Sequence, residues 1–167
     1  MLDGLFPADV VTAWGDPLEL SSPLFPEEEA LVAKAVWKRQ REFAKGRECA
    51  RRALAGFGRG NAMLLSGSDR EPLWPPDIVG SITHTQGLCG AAVALSNRYQ
   101  GIGIDAEPAE SLGVDLTKRI CRDDEASAAS TMAWLESAIV PRLVFCAKEA
   151  VYKCVFPISA HFWVSRT

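Results

Sequence analysis

Residues 78–107 read IVGSITHTQGLCGAAVALSNRYQGIGIDAE and carry the pattern that decides the fold. Three apolar stretches follow one another here, at Ile78–Thr83, Leu88–Leu95 and Ile102–Glu107. The connections between them are short, which suits neighbouring antiparallel strands, because parallel strands need a long crossover. The stretch therefore predicts an antiparallel meander of three strands.

A helical pattern precedes this meander. Pro26 is followed by three glutamates, which is typical of a helix start, because proline fits the first turn and acids favour the positive end of the helix dipole. Apolar residues then recur at helical spacing, and Gly56 and Gly58 are expected to end the helix. Gly46 is expected to weaken or kink it in the middle. A helix followed by a meander predicts an α+β lobe.

A second helical pattern lies near the other end of the chain. Pro141 suits the first turn of this helix, and Pro157 is expected to stop it. Its apolar stripe comprises Val144, Ala147, Val151 and Val155. Between the meander and this helix, residues 108–139 are expected to form a loop and a helix that opens near Asp123 or Asp124 and holds Met132, Trp134 and Leu135.

The composition is that of an ordinary globular protein, 48% hydrophobic and 23% charged, with a formal net charge of −3. This acidic balance argues against bulk attraction to nucleic acid or to anionic membranes. No apolar run is long enough to span a bilayer, and the first residues lack a secretory signal pattern. The five cysteines show no metal-ligand spacing, which favours reduced thiols in a cytoplasmic protein.

Two acidic residues lie at the end of the third apolar stretch. In a strand, Ile102 and Ile104 would point into a core, and Asp105 and Glu107 would share the opposite face. Neighbouring carboxylates repel each other unless a cation or protons intervene. The residues alone leave two interpretations open, a strand end that faces water or part of a divalent-cation site.

Glu149 and Lys153 share one side of the last helix, opposite its apolar stripe. On a wet surface they would form an ordinary ion pair at i, i+4. Alternatively, Glu149 completes a magnesium site with Asp105 and Glu107, because Mg²⁺ prefers hard oxygen ligands. In that case Lys153 contacts a phosphoryl oxygen.

Basic residues mark the first helix and the first strand. Arg39, Arg47 and Arg51 share one side of the helix and form either a solvated face or a clamp for a multiply charged phosphate. His84 ends the strand that contains Ser81. Its ring either bonds a neighbouring carbonyl or donates to a phosphate.

Three segments, in this order, resemble the signatures of the Sfp-type 4′-phosphopantetheinyl transferases, in the branch that contains enterobactin synthase component D and the actinobacterial enzymes. They are Gly80–His84, Gly103–Glu107 and Phe145–Lys153. Two further segments, Lys38–Arg51 and Glu71–Pro75, resemble the basic helix and the proline-tryptophan loop of that branch.

The resemblance implies an α+β fold with two lobes related by a pseudo-two-fold axis. Residues 1–110 would form an N-terminal lobe with the basic helix and the acidic strand. Residues 111–167 would form a partial second lobe that has the catalytic helix but not its sheet. The apolar stripe of that helix is therefore expected to be poorly covered.

The resemblance also implies a reaction, in which the phosphopantetheine arm of coenzyme A moves to a serine of an acyl or peptidyl carrier protein and 3′,5′-ADP leaves. The enzyme would be a cytoplasmic monomer that binds neither nucleic acid nor membrane. Mg²⁺ would be held by Asp105, Glu107 and Glu149. Glu149 would also draw the proton from the serine, and Lys153 would stabilise charge on the phosphoryl group. Coenzyme A contacts would come from Arg39, Arg47, Ser81, His84 and Lys148.

Two other hypotheses compete with this one. A catalytically silent module that binds coenzyme A or a carrier protein would keep the ligand contacts without turnover. An unrelated magnesium-dependent nucleotide pyrophosphohydrolase would also cluster acids, although commonly on helices. The sequence does not distinguish siderophore, polyketide and fatty acid carriers.

Overall fold

The computed structural model describes residues 4–122, 124–125 and 136–164. Its elements, in chain order, are β1 Val11–Gly15, α1 Pro26–Val32, α2 Trp37–Ala55, β2 Ile78–Thr85, β3 Leu88–Leu95, α3 Val114–Ile120, a 3₁₀ turn Ser137–Ile139 and α4 Val140–Val164. The predicted α+β class is confirmed, whereas the division at residue 110 stays a prediction.

The strands form one antiparallel sheet in the order β1-β3-β2. β2 and β3 make the predicted hairpin, whose tight turn contains Gly87 at a φ of 75°. The third strand of the sheet is β1, from the N-terminal part of the chain. The predicted meander is therefore wrong in its third member.

The segment Ile102–Glu107 is not a strand, although it runs alongside β2. The backbone N–H of Ile104 donates to Ser81 Oγ at 3.1 Å, and that of Ala106 donates to Thr83 Oγ1 at 3.0 Å. Because side-chain hydroxyls accept these bonds, no backbone ladder joins the segment to β2. The predicted alternation of its side chains nevertheless holds, since Ile102 and Ile104 are buried.

The sheet is covered on both faces. Cys89, Ala91 and Val93 of β3 pack with α2 in one apolar cluster. Ala92 and Ala94, which alternate with them along β3, pack with Ile102 and Ile104 in a second cluster. The sheet thus fixes the position of the acidic end of the 102–107 segment.

The helical pattern that starts at Pro26 forms two helices, with the break at residues 33–36 and not at Gly46. The break lets α1 fold back, so that buried Glu28 accepts a bond from Arg51 Nη1 at 2.9 Å. Gly46 is buried inside α2, where a Cβ would lie 3.1 Å from Ile82 Cγ2. It therefore permits close packing of α2 on β2.

Helix α4 begins at Val140, with Pro141 in its first turn as predicted. It continues through Pro157, so the predicted stop there is wrong. The helix tolerates the loss of the one backbone hydrogen bond that Pro157 cannot donate. The apolar stripe is poorly covered as expected, since Val151 is 63% exposed and lines an open groove of about 640 Å³.

The helix predicted to open near Asp123 or Asp124, within residues 108–139, lies mostly outside the described residues; between residues 123 and 135 only Asp124 and Glu125 are described, and both are helical. Among the helices described, none combines the length and apolarity needed to cross a bilayer.

Candidate active site

One stripe of α4 faces residues 101–110, which we call the acidic segment. Arg142, Cys146, Glu149 and Lys153 fall within about 60° of one another around the helix axis, at about 100° per residue. Lys153 Nζ donates to Asp105 Oδ1 at 2.6 Å, and Arg142 Nη1 donates to Glu107 Oε2 at 3.0 Å. The stripe and the segment therefore meet along their length.

Glycines allow this close approach. A Cβ on Gly103 would lie 1.8 Å from the carbonyl oxygen of Ala150, and one on Gly101 would lie 2.4 Å from that of Cys154. Any side chain at these positions would collide with the α4 backbone. The segment thus rests directly on the helix that carries Glu149 and Lys153.

The side chain of Asp105 is only 7% exposed, against 21% for Glu107. Its Oδ1 accepts bonds from Lys153 and, at 3.3 Å, from Thr83 Oγ1. Its Oδ2 is buried and has no hydrogen-bond partner among the described residues. Buried carboxylate oxygens are normally satisfied, so this atom has room for one more donor or a cation.

Cys146 lies beside both acids of the segment. Burial, and then the neighbouring carboxylates of Asp105 and Glu107, raise the pKa of its thiol to about 11. The thiol is therefore protonated at neutral pH and can donate to a carboxylate.

Glu149 is partly buried in the middle of the stripe, between Cys146 and Lys153. Asp105 and Glu107 are each held by a basic side chain, whereas the described part of the chain offers Glu149 no ion pair. Within residues 4–122, 124–125 and 136–164, no three acid, cysteine or histidine side chains lie close enough to hold a metal. The helix stripe that carries Glu149 therefore faces Asp105 and Glu107, but basic residues hold both of these acids, and the assignment of the three as metal ligands stays a prediction.

Arg47 of α2 is an incompletely satisfied buried cation. It is 5% exposed, stacks on the Phe43 ring at 4.3 Å and donates through Nη2 to Ser66 Oγ at 3.3 Å. Its Nε is buried without a partner in the described residues. Burial, together with the positive charges of Arg51 and Arg39, lowers the pKa of Arg47 to about 10. The solvated-face interpretation is therefore wrong for Arg47.

The two other arginines of this side differ in role. Arg51 is also buried, and its guanidinium is neutralised by Glu28. Arg39 is partly exposed and its Nη1 bonds His84 Nε2. Arg39 is thus the one that links the basic side of α2 to the strand end.

His84 stands between the basic and acidic groups. Burial and then the positive charge of Arg39 hold its pKa below 6.5, and Asp105 and Lys153 are near enough to influence it. Glu42 lies 3.6 Å from its Nδ1. A neutral ring at the end of β2 therefore connects Arg39 with the acidic site.

Ser81 and Lys148 have other partners. Ser81 is buried, and its hydroxyl holds the acidic segment by accepting the Ile104 N–H bond. Lys148 lies on another flank of α4, where it donates to the Ile120 carbonyl at 2.6 Å and to Glu125 Oε2 at 2.7 Å. Phosphate contacts from these two residues stay predictions.

Arg142 and Cys146 were not among the residues predicted for the site. Their spacing with Glu149 and Lys153, at i, i+4, i+7 and i+11, could have indicated one helix face. The spacing does not reveal that Glu107 lies opposite Arg142, because that contact joins residues far apart in the chain.

Two family models match this chain. Residues 27–94 match the 4′-phosphopantetheinyl transferase N-terminal domain, and residues 101–164 match the 4′-phosphopantetheinyl transferase superfamily. The chain is 40% identical to 4′-phosphopantetheinyl transferase Npt of Nocardia iowensis, over 97% of this chain and 72% of that protein.

Two other relatives are similar to smaller parts of this chain. Identity to PptT of Mycobacterium tuberculosis is 39%, over 87% of this chain and 63% of that transferase. Identity to enterobactin synthase component D of Salmonella austin is 33%, over 70% of this chain and 47% of that protein. The chain thus spans less than two thirds of the length of both. Matches to both halves of the chain and to Npt nonetheless agree, and the chain belongs to the 4′-phosphopantetheinyl transferase superfamily.

Proposed function

We propose that the chain transfers the 4′-phosphopantetheine arm of coenzyme A to a serine of an acyl or peptidyl carrier protein in a Mg²⁺-dependent reaction that releases 3′,5′-ADP. The observation that carries the proposal is the contact between the α4 stripe and the acidic segment. That contact gathers carboxylates and a lysine in one site, as phosphoryl transfer requires.

The acids are suitable ligands for magnesium. Asp105, Glu107 and Glu149 offer hard carboxylate oxygens, and Asp105 Oδ2 is a buried oxygen without a partner in the described residues. These three residues would hold the ion. Bound Mg²⁺ supplies charge neutralisation on the phosphate oxygens.

Two residues of α4 act on the proton of the serine and on the charge of the phosphoryl group. Glu149 draws the proton from the serine hydroxyl, directly or through water, as the serine oxygen attacks phosphorus. The bond between that phosphorus and the oxygen of the departing 3′,5′-ADP breaks. Lys153, whose Nζ is held at the site by Asp105 at 2.6 Å, donates to a phosphoryl oxygen as negative charge develops there.

The basic groups of α2 and β2 bind the rest of coenzyme A. Arg47 has an unsatisfied Nε and an unusually low pKa, so an anion beside it would relieve an unfavourable burial. Arg39 is partly exposed and adjacent to His84. We assign Arg39 and Arg47 to the 3′-phosphate and His84 to the diphosphate.

The test is to incubate the chain with coenzyme A, Mg²⁺ and an apo carrier protein and to weigh the carrier by mass spectrometry. The wild type is expected to add one phosphopantetheine group. Glu149→Gln is expected to abolish transfer while keeping the circular dichroism spectrum of the wild type. Glu110→Gln, the same change at an exposed acid near the site, is the matched control and is expected to stay active.

Two outcomes would contradict the proposal. Undiminished turnover by Glu149→Gln would remove that residue from its role. An unmodified carrier, with coenzyme A binding retained, would instead support the silent binding module. Two structural features favour that second candidate, namely the exposed apolar stripe of α4 and the basic partners that hold Asp105 and Glu107.

A further inference from the structure

Arg142 is anchored to the acidic segment at two points. Its Nη1 donates to Glu107 Oε2 at 3.0 Å, and its Nε donates to the backbone carbonyl of Glu110 at 3.3 Å. The side chains of Arg142 and Glu107 are each only 21% exposed. Water and salt screen such a shielded pair less than an exposed one. Arg142 therefore holds Glu107 firmly in the protein without metal.

This contact places the guanidinium against the carboxylate that the proposed function assigns to the cation. A cation that takes Glu107 Oε2 as a ligand must compete with Arg142 for that oxygen. The guanidinium also repels any cation that approaches the neighbouring carboxylates. Without Arg142, the ion pair between Lys153 and Asp105 would remain, and Glu107 would lose its ion-pair partner among the described residues.

We propose that Arg142 is a positioning residue that holds Glu107 in the metal-free protein and yields it to the divalent cation, so that Arg142 limits the metal affinity of the site. The proposal rests on the proposed function, because it takes Glu107 as a metal ligand. It adds a residue that sets how much metal the site needs. A residue that only fastened the acidic segment to α4 would act in the opposite direction, because its loss would disorder Glu107 and weaken metal binding.

The test measures Mn²⁺ binding to the metal-free chain by calorimetry, with no coenzyme A present. Arg142→Gln is expected to lower the Kd for Mn²⁺ by roughly three- to tenfold, the effect of removing one partly screened ion pair. Arg142→Lys keeps the charge and is expected to restore a Kd near that of the wild type. Arg122→Gln removes an exposed arginine that pairs with Asp124, and it should leave the Kd unchanged.

Thermal melting supplies a second readout that does not depend on activity. Without metal, Arg142→Gln is expected to melt below the wild type, because Glu107 has lost its partner. Saturating Mn²⁺ is expected to narrow the difference in melting temperature. Arg142→Gln is expected to bind Mn²⁺ more tightly than the wild type, and a ligand gives the larger stabilisation to the protein that binds it more tightly.

Each alternative result is decisive. An unchanged or higher Kd in Arg142→Gln overturns the proposal, and so does a melting difference that Mn²⁺ leaves the same. If the wild type modifies its carrier but Arg142→Gln binds Mn²⁺ no better, the inference fails and the proposed function stands. If the wild type binds no Mn²⁺ and modifies no carrier, both fail together.

Discussion

Replacement of Gly103 by alanine should push the acidic segment away from α4. The new Cβ would lie 1.8 Å from the carbonyl oxygen of Ala150 and 2.8 Å from the backbone nitrogen of Cys154. Ordinary contact between carbon and another heavy atom needs about 3.5 Å, so the segment must move away from α4 by about 1.5 Å or more. Backbone atoms of a helix cannot yield as a flexible side chain can.

The effect on transfer should exceed the effect on stability. A misplacement of about 1 Å in a catalytic arrangement costs on the order of 100-fold in rate, so Gly103→Ala should lose at least that much kcat/KM. Overpacking lowers the free energy of unfolding by about 1–3 kcal/mol. Alanine also restricts the unfolded chain more than glycine does, which raises the free energy of unfolding by about 0.4–1 kcal/mol. The net effect is a modest destabilisation. Carrier-modification kinetics and urea unfolding measure the two quantities.

Gly113→Ala is the matched control for this change. A Cβ there meets nothing within 4 Å, and the φ of Gly113 is −59°, which alanine adopts readily. Its activity should equal that of the wild type, and its stability should change by less than about 1 kcal/mol. If Gly103→Ala retained full activity and stability, the close docking of the segment on α4 would be refuted.

Two further predictions concern the basic side of the site. Arg47→Ala should weaken binding of coenzyme A more than that of dephospho-coenzyme A in calorimetry, because only the former carries the 3′-phosphate; equal weakening would remove Arg47 from that contact. Arg39→Ala should raise the pKa of His84 in an NMR titration, because the charge of Arg39 helps to hold it below 6.5. Since folding lowers this pKa, the contribution of His84 to stability is present above pH 6.5 and declines as the pH falls below it. An unchanged His84 pKa in the variant would contradict the assigned cause.

The sequence predicted the alternating faces of residues 102–107 but not their backbone bonding. Ile102 and Ile104 are expected to be buried because they are large and apolar and alternate with Gly103 and Asp105. The absence of a ladder depends on Ser81 and Thr83, whose hydroxyls accept the N–H bonds of Ile104 and Ala106. No local pattern in residues 102–107 indicates that side-chain hydroxyls, and not backbone carbonyls, accept these bonds.

Local sequence predicts one helix boundary, whereas contacts between distant residues accompany another. Gly58, at a φ of 71°, follows α2 as local propensity predicts. The break after α1 has no glycine or proline to announce it. It accompanies a buried ion pair between Glu28 and Arg51, two residues that are 23 positions apart. Pairing over that separation overrides local helix propensity.

The sequence predicted which residues belong to the candidate site but not which of them contact each other. Periodicity placed Glu149 and Lys153 on one side of the last helix, and the structure puts Lys153 against Asp105. The sequence alone does not single out Arg142, because a lone arginine in a helix usually faces solvent. Its partner, Glu107, is 35 residues away, so only the docking of the segment on α4 reveals the pair.

A crystal structure of the chain with coenzyme A and Mn²⁺ would locate the metal by anomalous scattering and so test whether the three acids bind it together. We predict one manganese peak bound by carboxylate oxygens of Asp105, Glu107 and Glu149, next to the diphosphate of coenzyme A. A peak bound by other residues, or bound coenzyme A with these three carboxylates far apart, would contradict this prediction.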